Sequence, residues 1–302
     1  MNILFIALPV FLIIFAGWLM KRNGIVKSDW IHILNQFAYY VALPALIIVS
    51  FWAIDFTDKN SWQIVCWSLF IVLFFSLLIL AALSFIKIRT SLKAAIFLCA
   101  TAGNTVYMGF PLVEMGFGGQ FLEKGALISV IFLVIPLLIA IFVIKYWHDK
   151  KHEVLKQLIS FIKNPLVVSV IAGFLLSYIR LDWEIISSVK KALSMVGATA
   201  SPIALFALGG FLYGKFLKKD LGVVFVSSTL KLLGFSALAF VIGLAFKIQD
   251  FGIYTLLGAM PAAATAFVIA EEFNLEKDIV GNTILISTIL SFFVIPLILL
   301  LI

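Results

Sequence analysis

The sequence predicts an all-α polytopic membrane protein of ten transmembrane helices, arranged as two inverted five-helix repeats with crossed broken helices 4 and 9. Three observations carry this. Hydrophobic residues make up 64% of the 302 positions and charged residues 12%, whereas a soluble domain is nearer half apolar and a quarter charged. Ten apolar stretches approach the roughly 20 residues that span a bilayer: 2–20, 35–54, 62–86, 93–116, 124–146, 164–181, 189–214, 220–246, 251–271 and 279–302. The eight prolines fall into two sets, Pro9, Pro44, Pro111 and Pro136, then Pro165, Pro202, Pro261 and Pro296, with paired members 150 to 160 residues apart. Proline deletes a backbone donor and interrupts a helix, so matched prolines mark matched structure.

The spans bear this out in order. Span 1 carries Pro9 and then Ala16-Gly17-Trp18-Leu19, and the cations Lys21 and Arg22 follow it. With no basic segment before it, span 1 reads as a membrane helix and not a signal peptide. Span 2 holds Ala42-Leu43-Pro44-Ala45-Leu46, and span 3 is largely apolar, with Ser68, Ser76 and Cys66 along it. Span 4 breaks its own pattern at Thr101-Ala102-Gly103-Asn104-Thr105-Val106-Tyr107-Met108-Gly109-Phe110-Pro111, and span 5 holds Ile135-Pro136-Leu137. The second half repeats the signs. Span 6 carries Pro165 and Ala172-Gly173-Phe174-Leu175, with the glycine eight residues past the proline as in span 1. Span 7 has Ser201-Pro202-Ile203-Ala204-Leu205, span 8 has Lys231, span 9 has Gly258-Ala259-Met260-Pro261-Ala262-Ala263-Ala264-Thr265, and span 10 has Ile295-Pro296-Leu297. Five spans per half is an odd number, so the second half enters the membrane inverted. The domains are then 1–146, a linker at 147–163, and 164–302.

Lys and Arg counting sets the orientation. With the N-terminus outside, cytoplasmic loops hold 15 of the cations and outer loops 6, so both termini are expected outside and the basic linker 147–163 in the cytoplasm of a bacterial inner membrane. The net charge of +7 resides in these short loops. It points to anionic lipid headgroups as a partner and not to nucleic acid. Cys66 and Cys99 are lone residues in apolar runs and read as small hydrophobes. His32, His148 and His152 are isolated, so no metal site, cofactor or catalytic cluster is expected. An enzyme or receptor is the reading from a different class. The first needs a mid-membrane nucleophile, acid pair or metal cluster, and the second has no need of duplicated breaks.

The candidate site lies at the breaks of spans 4 and 9. Interrupted helices in lipid are tolerated where protein or a water-filled cavity satisfies the freed groups, and half-helix N-termini favour anions. Asn104, Thr105, Gly109, Pro111, Pro261 and Ala262 are the residues assigned there. Asn104 suits a carboxylate, its alternative being a hydrogen bond between helices. Lys231 lies about 11 residues into span 8, roughly 16 Å deep. It reads as a counter-charge for an anion or a gating contact, or else as a structural ion pair or a donor to broken-helix carbonyls. No Asp or Glu sits at mid-span, which favours an anionic or neutral substrate over a cation. Glu114 is the remaining candidate for proton coupling, or a plain interfacial carboxylate.

These residues resemble the auxin efflux carrier family, which includes plant PIN-type auxin exporters and bacterial malate/malonate permeases. The resemblance spans nearly the whole chain: Ala16-Gly17 with Lys21-Arg22-Asn23-Gly24, Tyr40-Val41-Ala42-Leu43-Pro44-Ala45-Leu46, Leu205-Phe206-Ala207-Leu208-Gly209-Gly210-Phe211 and Met260-Pro261-Ala262-Ala263. Its most specific piece is Asn104-Thr105-Val106-Tyr107-Met108-Gly109-Phe110-Pro111-Leu112, similar to the family's N-T-x-x-x-G-x-P stretch. The resemblance implies a scaffold of spans 1, 2, 6 and 7, a moving transport domain of spans 3–5 and 8–10, helices 4 and 9 meeting at Pro111 and Pro261, and Asn104 on a substrate carboxylate. Elevator motion and a homodimer follow by analogy. Ile47 stands where plant members carry serine, and span 3 lacks their charged pair. The expected substrate is therefore a small organic anion, a carboxylate or dicarboxylate such as malate or malonate, before an auxin-like one. A sodium-coupled organic-anion symporter resembling the bile acid/sodium symporters is the alternative of the same type.

Overall fold

The computed structural model describes residues 4–148, 163–178, 184–214 and 220–302. Most of the expected linker lies outside the described residues, as do Lys150, Lys151, Lys156, Arg180, Lys215, Lys218 and Lys219, which enter the orientation count. The described residues are helical throughout, with no named strand. The helices are α1 (Leu4–Arg22), α2 (Ser28–Ala53), α3 (Lys59–Phe85), α4 (Thr90–Thr101), α5 (Phe110–Phe117), α6 (Leu122–His148), α7 (Pro165–Tyr178), α8 (Glu184–Leu212), α9 (Leu221–Ala245), α10 (Phe251–Gly258), α11 (Thr265–Glu272) and α12 (Lys277–Leu301). Among the described residues six stretches are long and apolar enough to cross a membrane: α2, α3, Gly119–Ile144, α8, α9 and α12. Phe70, Leu73, Leu77 and Leu78 of α3 and Phe293, Leu297 and Leu300 of α12 are exposed. Outward apolar faces of this kind suit lipid, because a water-soluble protein rarely exposes contiguous apolar patches beyond a few hundred Å². The chain is a multi-pass membrane protein.

Helices approach closely where glycine removes the side chain. A Cβ on Gly17 of α1 would stand 2.0 Å from the Phe206 carbonyl oxygen of α8, and one on Gly209 of α8 would stand 1.8 Å from the Ile14 oxygen of α1. The pair α7 and α2 repeats the device: a Cβ on Gly173 would stand 2.8 Å from the Ile48 oxygen. Small residues at such contacts let backbones pack with no hydrophobic drive between helices in lipid. A second group packs α3 along α6, and α9 against α10 and α12. Aromatic rings tie this group together. Phe75 of α3 stacks on Phe235 of α9 at 4.6 Å, Phe235 on Phe132 of α6 at 5.0 Å, and Phe132 meets Tyr254 of α10 edge-on at 6.3 Å.

The prolines do less breaking than their chemistry suggests. Pro9, Pro136 and Pro296 lie inside continuous α1, α6 and α12, and Pro165 is the first residue of α7, where its missing N–H costs nothing. Pro202 follows a turn at Thr199 within α8. Pro44 and Pro111 each sit two residues past a π-helical turn, Ala38–Ala42 and Thr105–Gly109. A widened turn gives room for the ring that would otherwise strike the preceding carbonyl. Only Pro261 lies in a stretch where helical bonding is lost, between α10 and α11. The break of span 4 is at Ala102–Asn104, between α4 and the π turn, so the meeting point expected at Pro111 lies instead at Gly103.

Gly209→Ala should destabilise the protein by about 1–3 kcal/mol, as overpacking does, because its methyl group meets backbone and not a movable side chain. Gly119→Ala, which meets nothing within 4 Å, should be neutral. Thermal unfolding of the two purified variants checks this, and equal midpoints would refute the packing account.

Candidate functional site

The two breaks satisfy each other. The Asn104 amide donates to the Pro261 carbonyl at 2.8 Å, and the Ala263 amide donates to the Ala102 carbonyl at 3.0 Å. This is a one-residue antiparallel bridge of Gly103 with Ala262. The remaining groups have local partners. The Asn104 carbonyl accepts from Met108 and Gly109, both at 3.2 Å. The Ala262 amide donates to Ser287 Oγ of α12 at 3.1 Å, and Thr105 Oγ1 donates to the Ser129 carbonyl of α6 at 2.7 Å. Each bond is worth about 1 kcal/mol net in water, but a buried donor left unpaired costs more, so the exchange is what permits two breaks at this depth.

Lys231 completes the arrangement. It lies in a π-helical turn of α9, Leu230–Gly234, and among the described residues it is the only buried charged side chain. Its Nζ donates to the Gly258 carbonyl at 2.8 Å, so the ammonium caps the C-terminal, negative end of α10. The charge also sits 4.8 Å from the centroid of the Phe235 ring, a cation–π contact. A Cβ on Gly103 would stand 2.9 Å from Nζ and 2.7 Å from Cε, so glycine at 103 is what lets the lysine reach the bridge. Gly109 and Gly258 serve similarly. A Cβ on the first would stand 2.5 Å from Leu257 Cδ2, and one on the second 3.0 Å from Ser236 Cα.

Of the residues assigned from the sequence, the structure gathers Asn104, Thr105, Gly109, Pro261, Ala262 and Lys231 around the bridge. Asn104 is 3% exposed, and among the described residues its side-chain amide has no hydrogen-bond partner. Pro111 is half-buried on α5, and Glu114 is exposed one turn farther on, outside the buried cluster. Lys231 makes the carbonyl contact that was one of its two sequence readings. Ser287, Ser129 and Phe235 are contributions the sequence reading does not assign. The only signal for Ser287 is a Ser-Thr pair in the middle of span 10, which reads equally well as helix packing. Among the described residues no three His, Cys, Asp or Glu side chains come together.

What the arrangement offers is one ammonium, a free carboxamide and the polarised ends of short helices, enclosed among apolar walls. The profile of one family, described as membrane transport protein, matches residues 3–157 and 150–299. A protein of Methanocaldococcus jannaschii, named as an uncharacterized transporter, is 24% identical over 97% of this chain and 96% of its own length. A Rhizobium meliloti protein named "Putative malonate transporter" is 27% identical over 95% of this chain and 91% of its own. A mouse protein named lysosomal cholesterol signaling protein is 27% identical over 94% of this chain, which corresponds to 36% of that longer protein.

Ser287→Ala strands the Ala262 amide and should cost about 1–3 kcal/mol. Ser76→Ala removes a hydroxyl that donates to its own helix at the Val72 carbonyl and should cost less. Comparing the two unfolding midpoints checks the claim, and a Ser287 variant as stable as the wild type would remove Ser287 from the bridge's support.

Proposed function

Because the chain belongs to the membrane transport protein family, whose members are auxin efflux carrier-like, we propose that it is a secondary transporter of a small organic anion, a carboxylate or dicarboxylate, working by elevator-type alternating access. The observation that carries this is Lys231. A buried ammonium whose only hydrogen-bond partner among the described residues is a carbonyl is costly. Its remaining donors and the idle Asn104 amide are complementary to a carboxylate. The relative named for malonate supports the same substrate class.

The proposed architecture is ten spans in two inverted repeats: α1, α2, α3, α4 with α5, and α6, then α7, α8, α9, α10 with α11, and α12. Exchange of contacts between the halves supports it. Gly17 and Gly173 occupy matching places in spans 1 and 6. Gly17 packs on Phe206, four residues past Pro202, and Gly173 packs on Ile48, four residues past Pro44. Inversion about an axis in the membrane plane produces such a swap. The reciprocal bonds between the breaks have the same symmetry. The scaffold is then α1, α2, α7 and α8, and the moving part is α3–α6 with α9–α12. Both termini lie outside and the linker lies in the cytoplasm. A cavity of about 260 Å³, bordered by Asn60, Gln63, Lys124, Lys247, Gln249 and Tyr254, reaches α10 one turn before Gly258 and would serve as a polar approach for an anion, with Lys247 as its cation, since Lys124 is paired with Asp250. Asn104 and Lys231 hold the carboxylate, while Thr105, Gly109, Pro111, Pro261 and Ala262 shape the seat. Glu114 is left as an exposed carboxylate with no assigned step.

Counterflow of labelled malonate and related carboxylates in proteoliposomes tests the reading. Asn104→Ala should lower uptake about 10- to 100-fold, the value of a hydrogen bond to a charged group, with folded yield unchanged. Lys231→Met should weaken anion affinity by at least as much. Normal uptake by a folded Asn104 variant would sink the site, and absence of any carboxylate flux in the wild type would sink the function.

A further inference from the structure

Hydroxyls inside this protein usually close on their own helix. Ser76 donates to Val72, Thr101 to Phe97, Ser236 to Leu232 and Thr283 to Ile279, each to the carbonyl four residues back. That is the ordinary way to bury a hydroxyl in a membrane helix. Five buried hydroxyls do not: those of Ser129, Ser227, Ser228, Thr265 and Thr288 have no partner among the described residues. They are not scattered. Ser227 and Ser228 precede Lys231 by four and three residues, so they lie one turn away on its side of α9. Thr265 is the first residue of α11, directly after the break. Thr288 follows Ser287, which holds the Ala262 amide. Ser129 lends its carbonyl to Thr105. Each orphan therefore lies within a turn, along its own helix, of a residue bonded at the paired breaks, and α9, which carries two of them, packs along α12, which carries a third. Buried polar groups without partners are rare in folded proteins, and where they cluster they mark a function.

Charge narrows the ligand further. Lys231 is the only buried charged side chain among the described residues, so the site neutralises one negative charge. A second carboxylate would arrive with no cation to meet it. Resting on the anion site proposed above, we propose that the ligand is a small hydroxylated monocarboxylate: its carboxylate lies against Lys231 and Asn104, and its hydroxyls pair with Ser227, Ser228, Thr265 and Thr288. A site built to bond a hydroxyl rejects the analogue lacking it, because its own polar groups are then left unpaired. The orphan hydroxyls are thus the specificity-determining groups.

The test uses the full chain in lipid nanodiscs and follows thermal stabilisation by glycerate, by propionate, which is glycerate without its hydroxyls, and by malonate, which adds a second charge. Glycerate should half-saturate at a concentration at least ~10-fold below either of the others. The double variant Ser227→Ala, Ser228→Ala should unfold at a higher temperature than the wild type without ligand, since two unpaired hydroxyls are gone. It should also respond to glycerate no better than to propionate. Thr288→Val provides the same readouts if the double variant folds poorly. A merely structural role for these hydroxyls predicts the opposite, a lower ligand-free midpoint with selectivity intact, and would overturn the inference. So would propionate or malonate matching glycerate in the wild type. Malonate binding alone would leave the anion site standing and remove only the hydroxyl selectivity, whereas stabilisation by none of the three would remove both.

Discussion

Everything else in this protein depends on two hydrogen bonds, Asn104 N–H to Pro261 C=O and Ala263 N–H to Ala102 C=O. A helix satisfies its own backbone, so it can lie in lipid without help, and a broken one cannot. Here each break is the other's remedy. Neither half-helix pair could exist at this depth alone, since its freed donors and acceptors would have nothing to meet. The requirement fixes the small residues at the bridge. Gly103 and Ala262 face each other across it, and bulk at 103 would collide with the lysine that also belongs there.

The bridge in turn explains why a charge is found so deep. When α10 ends at Gly258, its last carbonyls point into the interior with the negative end of the helix dipole behind them. Lys231 answers that end with a charged donor, and Phe235 supplies the electron-rich face on its other side. The ring is itself held by stacking between Phe75 and Phe132, so three helices fix the position of one ammonium. Neither contact carries a full negative charge. The lysine is therefore placed and directed, but not neutralised, and this is the electrostatic basis for proposing an anion as its partner.

The membrane class and the residues that gather at the paired breaks were legible in the sequence because both are written in composition. A span holding Gly103, Asn104, Thr105 and Gly109 among apolar neighbours declares its irregularity, and Lys231 is conspicuous as a cation far from any loop. The location of the break was less legible. Proline at 111 is a local signal for interruption, yet the π turn before it absorbs the ring, and the chain opens seven to nine residues earlier at Ala102–Asn104. What decides is the partner: the chain breaks where Pro261 and Ala263 offer bonds, and that is tertiary information. Ser287 and the orphan hydroxyls were illegible for the same reason. A serine bonded to its own helix and a serine facing a neighbour's amide look alike until the neighbour is in place.

The geometry also bears on how such a site would move. An ammonium has three N–H groups, and Lys231 commits one to Gly258, which leaves donors for an anion without releasing α10. Substrate binding on the proposed site then adds a counter-charge to an intact bridge and does not exchange one bond for another. It tightens the link between α9 and α10 while the paired backbone bonds hold the two breaks together. A seat that becomes more rigid when occupied suits transport in which a whole bundle carries its cargo past a fixed scaffold, since a bundle moving as a rigid body takes the site with it. A gate that opened by pulling the breaks apart would have to unpair both backbone bonds in a place with no water to receive them. The cost of that unpairing argues for rigid-body motion from the same constraint that places the bridge.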